Sequence, residues 1–114
     1  MTGRIATREA YFSLHAQREG STLSLSLEGE FDRAVTGRVE GALANAGECR
    51  TEHVVFDLSA LTFIDIAALK VILRTHERAR DRGFDVTVVR PRSLASRIFT
   101  LTRAGEALEM VDRT

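Results

Sequence analysis

Apolar and polar residues alternate along two segments near the start of the chain. In residues 11–18 one face carries Phe12, Leu14 and Ala16, and in residues 22–28 every second residue is leucine. A period of two predicts β-strands, because successive side chains of a strand point to opposite faces. Only three residues separate the segments, so we expect an antiparallel hairpin.

Three later segments repeat apolar residues every three or four positions, which predicts helices. Glycine is common just after the last turn of a helix, and serine is common just before the first. The predicted helices are residues 34–46 ended by Gly47, residues 66–82 ended by Gly83, and a helix that Ser93 caps and Gly105 closes.

Two short apolar runs, His53–Phe56 and Asp85–Val89, predict strands covered on both faces. A helix separates them, which favours a right-handed parallel crossover. Residues 108–111 predict a short last strand or a cover for the core. Together the elements predict an α/β fold in which helices pack against a mixed sheet of four to five strands that opens with the hairpin.

Length and composition predict one folded domain over residues 1–114. Hydrophobic residues make up 44% and charged residues 28%, and there is only one proline. The first ten residues lack the apolar core of a signal peptide, and no segment approaches the roughly 18 apolar residues of a membrane span. The single cysteine, Cys49, suits a reducing compartment. We therefore expect a cytoplasmic protein without membrane insertion.

The net charge is zero, but the charge is unevenly distributed, with −4 in residues 1–65, +6 in residues 66–103 and −2 in residues 104–114. Few aromatic residues lie among the arginines of the positive region, so a nucleic-acid partner is not favoured. Charged helix faces are most often solvated, although this one could also meet an acidic protein or a phosphate.

The sequence does not predict an enzyme. It has no glycine-rich phosphate loop and no set of nucleophile, base and orienting residue. Asp32, Asp57 and Asp65 could suggest the acidic cluster of a phosphorelay receiver, but such a domain begins with a parallel strand rather than a hairpin. The three histidines lack metal-ligand spacing, so we expect no metal and no cofactor.

Residues 54–69, VVFDLSALTFIDIAAL, join a predicted strand to a predicted helix at Asp65. An aspartate before a helix accepts hydrogen bonds from otherwise unpaired amides, so Asp65 is the predicted N-cap. Ile64 and Leu69 have the spacing of a hydrophobic staple around that cap. The first turn that follows, Ile66 to Ala68, is wholly apolar, which is unusual at a helix N-terminus.

Together with LEGEFD at residues 27–32, this segment resembles the STAS domain family, and the resemblance covers about residues 11–111. In the family, Asp-Leu-Ser and a short apolar turn follow the apolar strand, the helix then opens with Asp-Ser-Ser-Gly-Leu, and the other motif has the form L-x-G-E-L-D. Asp65 and Leu69 match the helix opening, whereas Ile66, Ala67 and Ala68 replace two serines and a glycine.

The resemblance implies a non-enzymatic interaction module of bacterial signal transduction and transcription regulation, similar to an anti-sigma factor antagonist. In that family a kinase-type anti-sigma factor phosphorylates the serine after the aspartate. Here that position is Ile66, which has no hydroxyl. We therefore expect an unswitched antagonist or scaffold whose partner is an anti-sigma factor, a serine/threonine-kinase-like protein or another STAS protein. A second interpretation is a STAS-type accessory subunit that braces a transport ATPase.

The resemblance also implies the site. The expected partner-binding residues are Asp32, Asp65, Ile66, Ala67, Ala68 and Leu69. Ser59 and Thr62 carry the nearest hydroxyls and are the alternative positions for phosphorylation, although Ser59 is also suited to a turn hydrogen bond. Two further alternatives stay open: Asp32 could simply cap the next helix, and Ile66 could pack inward or point outward.

Overall fold

In the part of the chain that the structure describes, six strands form one sheet, and their spatial order is their order in the chain. The computed structural model describes residues 4–8, 11–46 and 50–113. The strands are β1 (Arg4–Arg8), β2 (Phe12–Glu19), β3 (Thr22–Phe31), β4 (His53–Ile64), β5 (Asp85–Val89) and β6 (Glu109–Val111).

The sheet is mixed, as predicted. β1 pairs with β2, and β2 with β3, in antiparallel fashion, whereas β3, β4, β5 and β6 are parallel to one another. The hairpin of β2 and β3 is therefore confirmed. Strand β1 was not predicted and brings the sheet to six strands. Its sequence, RIATR, gives no period-two signal, because its two apolar residues, Ile5 and Ala6, are adjacent rather than alternating.

The helices are α1 (Thr36–Ala46), α2 (Ile66–Arg82), α3 (Arg97–Leu101) and α4 (Ala104–Ala107), and 3-10 turns at Arg33–Val35 and Leu94–Ser96 precede α1 and α3. The predicted end of α2 is confirmed, since Gly83 has the left-handed conformation (φ 79°) and its N–H donates to the carbonyl of Ala79 at 2.8 Å. Gly47, the predicted end of α1, and Cys49 lie outside the described residues.

The prediction of a single helix between Ser93 and Gly105 is wrong. Ser93 does cap the segment by accepting a hydrogen bond from the Ala95 amide at 3.1 Å. However, the chain stops being helical at Thr102 and reverses at Arg103, which has a φ of 63°, so that Gly105 lies inside α4 rather than after it. An arginine rarely adopts this conformation, and the sequence pattern gave no sign of the break.

The hydrophobic core lies between one face of the sheet and helices α1 and α2. Alternate residues of β2, β3, β4 and β5 are buried there, and the rings of Phe12 and Phe31 stack with centroids 5.7 Å apart. The expectation that β4 and β5 are covered on both faces is wrong. Their other face carries Val55, Asp57, Thr87 and Val89, which are only partly buried.

Strand β4 is longer than predicted, because it continues through LSALTFI instead of ending at Phe56. Its pairing with β3 slips twice, between Ser26 and Glu28 and between Gly29 and Glu30, and each slip places one extra residue on β4. Such bulges change which side chains face the core. The second one leaves Phe63 47% exposed while the next residue, Ile64, is 5% exposed.

Candidate functional site

The carboxylate of Asp65 connects two segments that are distant in the sequence. Its Oδ1 accepts a hydrogen bond from the Ala68 amide at 2.8 Å, which confirms Asp65 as the N-cap of α2. Its Oδ2 accepts one from the Arg33 amide at 2.9 Å, in the 3-10 turn after β3. The amide of Asp65 itself donates to the carbonyl of Phe31 at 3.2 Å. One side chain therefore fixes the start of α2 against the end of β3.

Asp32 precedes Arg33 in the chain and lines the same shallow surface depression as Asp65. Its Oδ1 accepts from the Ala34 amide at 3.0 Å, so it caps the 3-10 turn. The same oxygen accepts from the Tyr11 hydroxyl at 3.3 Å. Asp32 thus caps the next helical segment and shares this depression with Asp65, while its part in partner binding stays a prediction.

Tyr11 is a neutral hydrogen-bond donor to the carboxylate of Asp32. Its partial removal from water raises the pKa of its hydroxyl above 10.0, and the charge of Asp32, the hydrogen bond to Asp32 and the charge of Glu30 raise that pKa further. All of these effects disfavour the phenolate, so the hydroxyl stays protonated at neutral pH and keeps its hydrogen bond to Asp32.

Ile66 points outward, with 50% of its surface exposed. Phe63, the second-last residue of strand β4, is 47% exposed, and Ala67 is partly exposed. We call the surface formed by Asp32, Phe63, Asp65, Ile66 and Ala67 the docking surface. It combines exposed apolar side chains with two carboxylates, and its backbone is held by the Asp65 hydrogen bonds.

Two of the expected partner-binding residues do not reach this surface. Ala68 is fully buried and Leu69 is 2% exposed, so neither can contact a partner directly. Both belong to the core, as does Ile64, the other residue of the predicted staple. Ala68 and Leu69 therefore leave the expected set and anchor the first turn of α2, whereas Asp32, Asp65, Ile66 and Ala67 stay predictions.

The two alternative hydroxyls have different surroundings. Ser59 is 7% exposed; its hydroxyl donates to Asp57 Oδ1 at 2.7 Å and accepts from Arg113 at 3.2 Å. Its amide also donates to Asp57 Oδ1, at 3.0 Å, which is the expected turn hydrogen bond. Thr62 is exposed and donates to the carbonyl of Gly29 at 3.2 Å. Of the two, Thr62 is the one that solvent reaches.

Sequence reasoning missed three contributors to this site: Phe63, Tyr11 and the amide of Arg33. Phe63 looked like part of an apolar turn, and only the bulge in β4 turns it outward. The contacts of Tyr11 and Arg33 span 21 and 32 residues, so no local pattern could indicate them. An aromatic residue directly before a β-hairpin was the one available signal for Tyr11.

Neither a metal centre nor a membrane helix is found in the part of the chain that the structure describes. No group of three or more histidine, cysteine, aspartate or glutamate residues there could hold a metal ion. None of the helices there has both the length and the hydrophobicity needed to cross a membrane.

The chain matches a known family model by sequence and known structures by fold. The model of the STAS domain matches residues 13–113. The structure is similar to that of an anti-sigma factor antagonist from Mycobacterium paratuberculosis, with a TM-score of 0.75 and 21% identity over 94% of this chain and 91% of that one. No curated protein matches the chain significantly by sequence.

A second similar protein is known in two chemical states. The structure of the Bacillus cell fate determinant SpoIIAA in its phosphorylated form has a TM-score of 0.66 and 14% identity, over 98% of this chain and 92% of that one. The anti-sigma factor antagonist SpoIIAA in its unphosphorylated form gives a TM-score of 0.67 and 13% identity, over 98% and 90%. At these identities the similarity establishes a shared fold.

Proposed function

Because the chain belongs to the STAS domain family, we propose that it is a cytoplasmic, non-enzymatic interaction module that binds a kinase-type anti-sigma factor through the docking surface. We further propose that phosphorylation of the docking surface does not control this binding. The similar fold of anti-sigma factor antagonists supports the first statement. The residue after the helix cap supports the second.

The observation that carries the proposal is the outward position of Ile66. Ile66 directly follows the N-cap Asp65, where the STAS motif has its phosphorylated serine, and half of its surface is exposed. SpoIIAA, which has the same fold, exists in a phosphorylated form. A hydrocarbon side chain has no atom that can accept a phosphoryl group. The position is therefore accessible to a partner but inert to a kinase.

An isoleucine in place of a phosphorylatable serine would favour a complex that phosphorylation does not dissociate. A phosphate would add a charge of about −1.5 to −2 beside two carboxylates, and repulsion and desolvation would then weaken binding. Burying the exposed half of an isoleucine side chain instead stabilises the complex, by on the order of 1 kcal/mol. The carboxylates of Asp32 and Asp65 favour a partner with basic residues around an apolar centre.

The test is a pull-down that compares the natural chain with Ile66→Asp. The new carboxylate occupies the place of the family's phosphate and removes the apolar contact, so we expect the affinity for the partner to fall by at least about tenfold. The matched control is Leu101→Asp, which makes the same change at a residue that is 80% exposed and lies outside the docking surface. Binding can be quantified by calorimetry on the captured partner.

Two results would count against the proposal. If Ile66→Asp retains every partner, or if Leu101→Asp loses the same partners, the chain docks through another surface. The identity of the captured protein separates the two functional interpretations. A kinase-type anti-sigma factor supports the present one, whereas a subunit of a transport ATPase would support the bracing role.

A further inference from the structure

A groove lies at the C-terminal part of the fold, between α3, α4 and the end of β5, and none of its residues belongs to the docking surface. It has a volume of about 370 Å³, within the range of small-molecule sites. The groove is lined by Arg90 and Arg103, by the carboxylate of Glu106, by the hydroxyls of Ser96 and Thr100, and by the apolar pair Phe99 and Met110.

Arg103 lines the groove and has a left-handed backbone conformation, which is unfavourable for a residue with a side chain. It is the one non-glycine residue with a positive φ (63°) in the described part of the chain. Glycine or asparagine ends a helix in this conformation with less strain. Its guanidinium donates to both carboxylate oxygens of Glu106, at 2.7 and 3.2 Å. Those two bonds hold the side chain in place and leave three of its five N–H donors available.

Arg90 approaches the same groove from the end of β5. Its amide donates to the carbonyl of Val111 at 2.8 Å, and its guanidinium is paired with Asp112. The hydroxyls of Ser96 and Thr100 stand one helical turn apart and make no hydrogen bond to any other described residue. The groove thus offers two guanidinium groups, each held by a carboxylate with further N–H donors left over, and two hydroxyls that no other described residue engages.

The apolar part of the groove indicates more than a simple anion. Phe99 is 4% exposed and forms its floor together with the sulfur-containing side chain of Met110. A phosphate monoester presents three terminal oxygens, which suit two arginine forks and adjacent hydroxyls, and its organic group could cover the apolar floor. We propose that this groove binds a small phosphorylated metabolite, with the phosphate between Arg90 and Arg103 and the organic group on Phe99 and Met110.

The test is a titration followed by two-dimensional amide NMR with three probes: phenyl phosphate, inorganic phosphate and phenol. Saturable shifts at the amides of Ser96, Thr100 and Arg103 are expected with phenyl phosphate, at an affinity at least about fivefold higher than for inorganic phosphate. Phenol alone should produce no saturable shift. Shifts that never saturate, or equal affinity for all three probes, would overturn the proposal.

Arg103→Gly separates a binding role from a structural one, because it removes the guanidinium and also relieves the backbone. We expect it to weaken phenyl phosphate binding at least about tenfold while the melting temperature stays the same or rises. Arg90→Gln provides an independent loss of binding, and Arg97→Gln, an exposed arginine outside the groove, is the matched control. Undiminished binding by Arg103→Gly and Arg90→Gln would refute the site.

Discussion

Replacing Gly29 with alanine is expected to lower the free energy of unfolding by about 3 kcal/mol or more. Gly29 has a φ of 90°, which side-chain-bearing residues rarely adopt, and a Cβ there would stand 2.0 Å from the carbonyl oxygen of Tyr11. That oxygen also accepts the Glu30 amide at 2.9 Å, so it cannot move away without breaking the hydrogen bond that closes this end of the β2–β3 hairpin. The glycine of the LEGEFD motif is therefore a steric requirement of the sheet beside the docking surface.

The control for this prediction is Gly20→Ala in the hairpin loop. Gly20 also has a positive φ, of 62°, but nothing lies within 4 Å of the Cβ position. Only the backbone strain applies, so the expected loss is about 1 kcal/mol. Urea unfolding followed by circular dichroism measures both changes. Equal losses for the two variants would mean that the close approach of Tyr11 does not limit position 29.

Replacing Asp65 with alanine is expected to cost about 2 to 3 kcal/mol of unfolding free energy. The change removes the N-cap of α2 and the acceptor for the Arg33 amide at once. Both bonds are made by a charged acceptor, which makes each stronger than a bond between neutral groups. We also expect the amide of Arg33 to lose protection from hydrogen exchange, because this bond fixes the 3-10 turn.

Two variants calibrate that loss in the same unfolding assay. Asp32→Ala removes the cap of a three-residue 3-10 turn and an exposed hydrogen bond from Tyr11, so it should cost only about 1 kcal/mol. Asp65→Asn keeps one carbonyl oxygen for the Ala68 amide but offers its NH₂ group on the other side, and it should fall between the two. If Asp65→Ala costs no more unfolding free energy than Asp32→Ala, the two hydrogen bonds accepted by Asp65 do not stabilise the fold more than the cap made by Asp32.

Much of the fold was predictable because its signals are local. The hairpin follows from strict alternation, and the beginning and end of α2 follow from Asp65 and Gly83, which act within a few residues. The extension of β4 was not predictable, because its bulges arise from pairing with β3, some thirty residues away in the chain. The break at Arg103 was also missed, because the sequence has neither glycine nor proline there.

The site shows the same division. The cap residue and its apolar successor could be named from sequence alone, and the exposure of Ile66 then decided between its two possible orientations. Ala68 and Leu69 were included because they lie in the motif, but a motif does not distinguish residues that touch a partner from those that support the helix. The proximity of Asp32 to Asp65 depends on the pairing of β3 with β4.

The backbone beneath the docking surface is fixed by contacts of three residues. Asp65 fixes the helix start, Gly29 allows the neighbouring strands to approach, and Tyr11 holds Asp32 in place. These contacts support the backbone of the proposed docking surface, where Ile66 stands at the position to which the resemblance assigns a serine. The proposed lack of a switch at the docking surface depends on this single position.

The most direct test adds ATP to the complex of this protein with its kinase-type partner and follows both bound protein and phosphate, the latter by intact mass spectrometry. We predict that the natural chain stays bound and unmodified, whereas Ile66→Ser gains one phosphate and dissociates, because the half-exposed position then carries a hydroxyl. Phosphorylation of the natural chain at Thr62 or Ser59, or its release by ATP, would contradict the account.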